Sequence, residues 1–238
     1  MKTPEVTDVL DREIFSDAEA ARLLRVALPT LRYWLEGGDR RGRGHKPPLL
    51  HYKPRVTHVV TWAEFVSAGM LRQFRHPQGM PVELRTFIDL LRENFGVPYP
   101  LADRRPYVTH RKLTLEAQSA AGLDPGYCLV AVVSDDLLLT PPSAAFLDRV
   151  IWDGEIAMEW RPGYDPQTPV RISPAVRFGR PSIKGISTKA IWEQDDFGSA
   201  PKEIAEMYQL DLNDVRGALA YENSQRASQN AIARGHAS

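Results

Sequence analysis

The chain has 238 residues, 43 % of them apolar and 25 % charged, a composition that can bury at least one full core and in which disorder does not dominate. Its one cysteine excludes a disulfide framework or a thiolate metal cluster, and no run nears the roughly 20 apolar residues of a membrane span. The N-terminus lacks the basic-then-apolar pattern of a secretory signal, so a cytoplasmic location is expected. The formal net charge of zero hides a split: residues 1–112 carry nineteen Lys and Arg against thirteen Asp and Glu, and residues 113–238 carry eleven against seventeen. A basic front half suits a polyanion and an acidic back half does not, unless the segregation of solvated charge is chance.

Ser16-Asp17-Ala18-Glu19 has capping-box spacing ahead of Ala20, Ala21, Leu23 and Leu24, which predicts a short amphipathic helix over 17–24. Pro29 suits the start of a second helix, which runs through Leu31, Tyr33 and Trp34 and stops at Gly37-Gly38. Two short helices around a tight turn read as a helix-turn-helix whose second helix is free to enter a major groove; a helical hairpin without a ligand is the alternative. The stretch from Asp39 to Lys46 then holds four cations and one anion, Thr57–Val60 is strand-like, and Thr61-Trp62-Ala63-Glu64 opens another helix with a second capping box. In that order these are the parts of a winged helix-turn-helix, where a basic hairpin touches phosphates beside the recognition helix.

The stretch DAEAARLLRVALPTLRYWLEGG resembles the DNA-binding domain of MerR-type regulators, through Glu19, Ala20, Ala21, Leu24, Val26, Thr30, Leu31, Arg32 and Tyr33. Trp34-Leu35-Glu36 departs from that family's aromatic-then-Glu ending. The likeness covers about the first 75 residues and implies DNA contacts from Thr30, Arg32 and Tyr33 on or beside the recognition helix, with Arg40, Arg41, Arg43 and Lys46 supplying the wing. Trp34 is expected in the core. A longer helix is predicted over 81–95 with Val82, Phe87, Ile88, Leu90, Leu91 and Phe95 on one face; it either dimerises or packs into the core. The Pro-rich stretch 97–106 reads as a boundary. Beyond it, strands are predicted at 127–133, 137–139 and 156–160 and a short helix at 142–150, with a turn at Ser134-Asp135-Asp136.

Further on, 170–174 and 176–181 read as two short strands, Ser187 as the cap of a helix through Ile191 and Trp192, and 201–208 and 212–221 as two helices around Gln209-Leu210, a second helix-turn-helix. The polar tail from Asn223 to Arg234 is expected to leave the last helix as a mobile or frayed terminus. The stretch is similar to a small antitoxin domain family known as a domain of unknown function, at Pro174, Gly179, Pro181, Ile183, Gly185, Ile186, Glu203, Ile204, Ala205, Tyr208, Leu210, Val215, Ala218, Leu219 and Tyr221. Arg180 stands for its usual Lys and Ser187-Thr188 for its Arg-Ile-Pro. The resemblance implies a VapB-type antitoxin of a type II toxin–antitoxin pair that neutralises a PIN-type ribonuclease. On that reading Arg177, Arg180, Lys184, Arg226 and Arg234 meet the toxin, since a guanidinium pairs bidentately with carboxylates. Residues 190–223 hold eight acids against Lys202 and Arg216, a poor match to phosphate, so DNA is assigned to the front domain and protein to the back one.

The expected fold class is therefore α+β and helix-rich: an N-terminal winged helix-turn-helix with its following helix over 1–96, a small central α/β segment of unassigned role over 97–169, and a C-terminal β-hairpin plus helix-turn-helix with its tail over 170–238. No metalloprotease, Walker or nucleophile-elbow pattern occurs, and the six histidines show no metal-ligand spacing. No catalytic residue, metal or cofactor is expected. The expected partners are the PIN-type ribonuclease, operator DNA that the protein uses to regulate its own operon, and a second copy in a homodimer or larger complex with toxin; no membrane is involved. The alternative is a stand-alone MerR-like transcriptional regulator whose C-terminal half senses a ligand or dimerises.

Overall fold

A computed structural model describes residues 9–39, 45–50, 55, 57–74, 82–163 and 165–235. The chain is α+β, mixing helices with small two-stranded antiparallel pairs, and divides into two compact units, Met1–Met158 and Glu159–Ser238. Residues 1–96 and most of 97–169 thus share the first unit. None of the described helices is long and apolar enough to cross a membrane.

In the first unit, β1 (Glu13–Ser16) leads into α1 (Asp17–Leu24) and α2 (Leu28–Glu36). Ser16 caps α1, its Oγ accepting from the Glu19 N–H at 3.2 Å, as the sequence pattern anticipates. The helix ends at Arg25 in the left-handed region (φ 54°), and Val26 donates back to the Ala21 carbonyl. Helix α2 stops at Gly37, whose φ of 72° and ψ of −148° are essentially confined to glycine. A Cβ there would also overlap the Lys46 carbonyl, so the residue lets α2 turn directly into β2 (Gly38–Asp39), which pairs with β3 (His45–Lys46).

Strand β4 (Val59–Thr61) pairs with β1, Phe15 opposite Val60, and feeds α3 (Trp62–Leu71). Thr61 and Glu64 form the expected capping box, with backbone-to-side-chain bonds of 2.9 and 3.3 Å. All ten residues of α3 are buried, which marks it as the central helix of the unit. Helix α4 (Val82–Phe95) buries Leu84, Phe87, Ile88, Leu91 and Phe95 in this same chain, so core packing accounts for its apolar stripe.

Helix α5 (Arg111–Ala120), which the sequence pattern does not announce, carries the buried Gln118. Its Oε1 accepts from the Leu129 and Val130 N–H groups and its Nε2 donates to the Val130 carbonyl, tying α5 to the start of β5 (Val130–Val133). That strand pairs with β6 (Asp136–Leu139) through a turn at Ser134 and Asp135, both at positive φ. Helix α6 (Pro141–Leu147), β7 (Val150–Asp153) and β8 (Ile156–Trp160) follow, with Tyr107, Phe146 and Trp152 packed ring against ring. Cys128 is half-buried and free.

In the second unit, β9 (Ser182–Ile183) and β10 (Ile186–Ser187) make a hairpin with Lys184 and Gly185 at the turn, both at positive φ. The expected strands at 170–174 and 176–181 do not form. Single bridges join Trp160 to Ile172 and Arg171 to Ser182, while Arg177, Phe178 and Gly179 all take positive φ and Pro174 and Pro181 have no N–H to donate. Three helices follow, α7 (Thr188–Asp196), α8 (Pro201–Tyr208) and α9 (Leu212–Gly235). They close on a core of Val170, Ile183, Ile191, Ile204, Leu210, Val215, Ala218 and Tyr221. Gly217 sits where a Cβ would run into the Pro169 ring. The expected loose tail is instead a continuation of α9 to Gly235, since from Asn223 to Arg234 the segment has no Gly or Pro and is rich in helix-tolerant Ala, Gln and Arg.

Candidate functional site

Helix α2 turns Leu31, Trp34 and Leu35 inward, so Trp34 is core, and its carbonyl accepts from the Leu49 and Leu50 N–H groups at 2.8 and 2.9 Å. Thr30 and Tyr33, three residues apart and hence on one face, are half-buried, and Arg32 is exposed. Lys46 lies half-buried on β3, next to the end of α2. Arg40, Arg41 and Arg43 lie outside the described residues. The structure thus brings together four of the seven sequence-expected DNA contacts along α2 and the strand pair after it.

What holds this arrangement is a polar network. Asp17, the first residue of α1 and only 3 % exposed, accepts from Arg32 Nε at 3.3 Å and from Arg55 Nη2 at 2.9 Å. Arg55, whose side chain is 7 % exposed, also bonds Glu36 Oε1 at 3.1 Å and the Val59 carbonyl at 3.1 Å. One guanidinium therefore joins the start of α1, the end of α2 and the strand β4, and so fixes the angle between the two short helices. On α4, Arg85 donates to the Pro47 and Pro48 carbonyls and Arg92 to that of Leu50. These two cations hold the segment leaving β3, and burial lowers the Arg85 guanidinium from its ordinary value. Asp17, Arg55, Arg85 and Arg92 escape sequence reasoning because their partners lie far along the chain; the only local signal is an Asp opening a helix.

Asp17, Glu36 and His58 bring three potential ligand atoms within 4.8 Å of one another. Arg55 already sits between the two carboxylates, filling the place a cation would take. The group is read as an ion-pair lock.

In the second unit the five expected toxin contacts divide. Lys184 bonds Asp211 and Asp214, each at 2.8 Å, and these hydrogen bonds hold its amine above the ordinary range and the Asp211 carboxyl below it. The Arg226 guanidinium stacks over Trp192, 3.3 Å from the ring centre, while Trp192 Nε1 donates to Asn223 Oδ1 at 3.0 Å. Arg234 belongs to α9, but its side chain lies outside the described residues. Arg177 and Arg180 are exposed. Between them Phe178, which sequence reasoning passed over, is 88 % exposed; its signal was an aromatic residue between two arginines in a stretch bounded by prolines.

Residues 170–221 match a family model described as a protein of unknown function (DUF433). A relative from Mycobacterium tuberculosis (strain ATCC 25618 / H37Rv), described as uncharacterized protein Rv2308, is 32 % identical over 230 residues, which is 93 % of this chain and 94 % of the relative. Among solved structures, the X-ray crystal structure of Rv2018 from Mycobacterium tuberculosis is similar with a TM-score of 0.67 at 20 % identity, covering 88 % of this chain and 99 % of that one. At that identity the likeness speaks for the fold alone.

Proposed function

The chain belongs to the family of the uncharacterized mycobacterial protein Rv2308, and from that premise we propose that it is a VapB-type antitoxin. Its front unit binds operator DNA as a winged helix-turn-helix and its back unit neutralises a PIN-type ribonuclease. The observation that carries this reading is the joining, in one chain, of two helix pairs, the first charge-balanced and followed by a basic stretch from Arg40 to Lys46, the second set in an acidic one. The pair α1–α2 runs directly into an antiparallel strand pair bounded by basic residues, with Arg32 and Tyr33 on its second helix. The pair α8–α9 lies within the strongly acidic 190–223 stretch and within the segment that matches the family of unknown function. Phosphate binding draws its strength from cations that release counterions, which favours the first pair for DNA and leaves the second for protein.

The test has two arms. In a gel-shift titration with DNA from upstream of its own gene, the full chain binds specifically. Arg40→Ala with Arg41→Ala weakens that binding and makes the slope of log affinity against log salt shallower by about 0.9 for each phosphate that is no longer neutralised. The second arm looks for a PIN-type ribonuclease gene beside that of the chain, and co-expression of the chain with its product restores growth. Unchanged affinity and slope in the double variant remove the wing from the interface. DNA binding without any effect on a ribonuclease leaves a stand-alone regulator.

A further inference from the structure

Residues 171–189 hold five cations and no acid. Three of the five are occupied: Arg171 lies 3.7 Å from Glu159, Lys184 bonds Asp211 and Asp214 at 2.8 Å, and Lys189 lies 3.5 Å from Glu193. The other two, Arg177 and Arg180, are exposed and have no ion-pair partner among the described residues. Between them stands Phe178, 88 % exposed, on a backbone that is left-handed at three successive residues, with φ of 50°, 53° and 75° from Arg177 to Gly179.

L-residues avoid that conformation, and it persists only where the surroundings over-determine it. Here they do. Gly179 donates to the Val176 carbonyl and Arg180 to that of Arg177, both at 3.1 Å, Arg171 and Ser182 exchange two backbone bonds of 2.8 and 2.9 Å, and Thr188 donates to the Pro181 carbonyl. A ring that hydrophobic burial would ordinarily withdraw is therefore held out in water by a pinned loop. Strain concentrates where a segment serves recognition, and a loop that is already ordered gives up less entropy on binding.

We propose that Arg177, Phe178 and Arg180 form the anchor by which this chain docks on its protein partner, the ring entering an apolar notch whose rim carries carboxylates for the two guanidiniums. This rests on the antitoxin reading above, the partner being the PIN-type ribonuclease. Aromatic residues and arginine are the side chains that dominate protein interfaces, and a guanidinium pairs a carboxylate with two parallel bonds. A nucleic acid fits less well. Affinity for a polyanion grows with the number of phosphates neutralised, and two cations of this segment remain to do so.

The full chain is titrated with the PIN-type ribonuclease identified as its partner by the co-expression test above and, separately, with short duplex DNA. Phe178→Ala is expected to weaken ribonuclease binding about 30-fold, and Arg177→Ala with Arg180→Ala about tenfold or more. Duplex binding is expected to stay unchanged in both. Phe178→Asn keeps a residue that tolerates the left-handed turn; it is expected to lose as much affinity as the alanine variant with no fall in Tm, which separates recognition from folding. Wild-type ribonuclease affinity in the alanine variants, or recovery of affinity in Phe178→Asn, overturns the anchor and leaves the antitoxin reading standing. Loss of duplex binding with ribonuclease binding intact overturns it in favour of a nucleic-acid contact. If the wild-type chain binds no ribonuclease, both readings fall together.

Discussion

Helix α1 ends at Arg25 and helix α8 at Gln209 with nearly the same backbone, φ 54° and 53°. In each case the next residue donates to a carbonyl five positions back, Val26 to Ala21 and Leu210 to Ala205, both at 2.9 Å. This helix-ending bond pattern satisfies carbonyls the helix would otherwise leave open, and at both places the chain re-enters a helix within a few residues. Beyond the turn the two pairs part company. Helix α2 stops after nine residues at Gly37 and gives way to a strand pair, whereas α9 runs for 24. The first pair is locked by a buried Asp17–Arg55 ion pair, the second by an apolar core around Ile204 and Val215. The turn is a packing solution available to many sequences, and it carries no information about what the pair binds. That information sits in the outward side chains and in how each pair is fastened to its unit.

The comparison can be broken first at the fastenings. Gly37→Ala combines a glycine-only backbone with a clash against the Lys46 carbonyl, and a loss on the order of 4 kcal/mol is expected in chemical denaturation. A loss below about 1 kcal/mol would mean that α2 and β2 can separate. Asp17→Ala leaves the 7 % exposed Arg55 guanidinium without its main partner, at a cost of about 3 kcal/mol. If the two pairs are fastened differently, a deletion in the apolar core around Ile204 and Val215 strands no charge. There the sensitive position is Gly217→Ala, where overlap with Pro169 is expected to cost about 2 kcal/mol.

Two smaller changes sharpen the likeness. Gln209→Gly relieves an exposed left-handed residue and is expected to stabilise the chain by about 1 kcal/mol; a destabilisation would show that Gln209 does more than close the turn. The pair Lys184–Asp211 tests charge at the surface. Its hydrogen bond to Lys184 holds the Asp211 carboxyl below the usual value, so whatever it contributes is present above the unfolded carboxylate pKa and fades as pH falls through the depressed folded one. Thermal melts of wild type and Asp211→Asn should therefore differ slightly at neutral pH and converge in strong acid. A gap that widens toward acid would reverse the assignment.

Local signals were legible and distant ones were not. Ser16 and Thr61 announced their helices through hydroxyls that reach the backbone three residues on, and the apolar stripes of α4 and α8 could be counted from spacing. The strands expected over 170–181 failed because their β-branched residues sit among prolines and a left-handed turn held by local and more distant backbone bonds together. The tail misled by polarity, although its residues are competent for a helix once Asn223 and Arg226 find Trp192 on α7. Lys184 and Arg226 looked available for a partner because Asp211 lies 27 residues from the first and Trp192 lies two helices back from the second. Periodicity within a segment cannot see either pairing. The same limit hid Asp17 and Arg55, 38 positions apart.

One bond in the first unit sets an order of events during synthesis. Trp62 opens the fully buried helix α3, and its indole N–H donates at 2.6 Å to the carbonyl of Ala157, 95 residues later. A growing chain that has exposed only α1 to α3 has the helix pair but lacks the acceptor for its central indole, and a buried polar group without its hydrogen bond is destabilising. The indole gains this acceptor only after β8 has left the ribosome. A gene broken off short of that strand would yield a fragment carrying every sequence signature of the front unit and missing a partner at its centre.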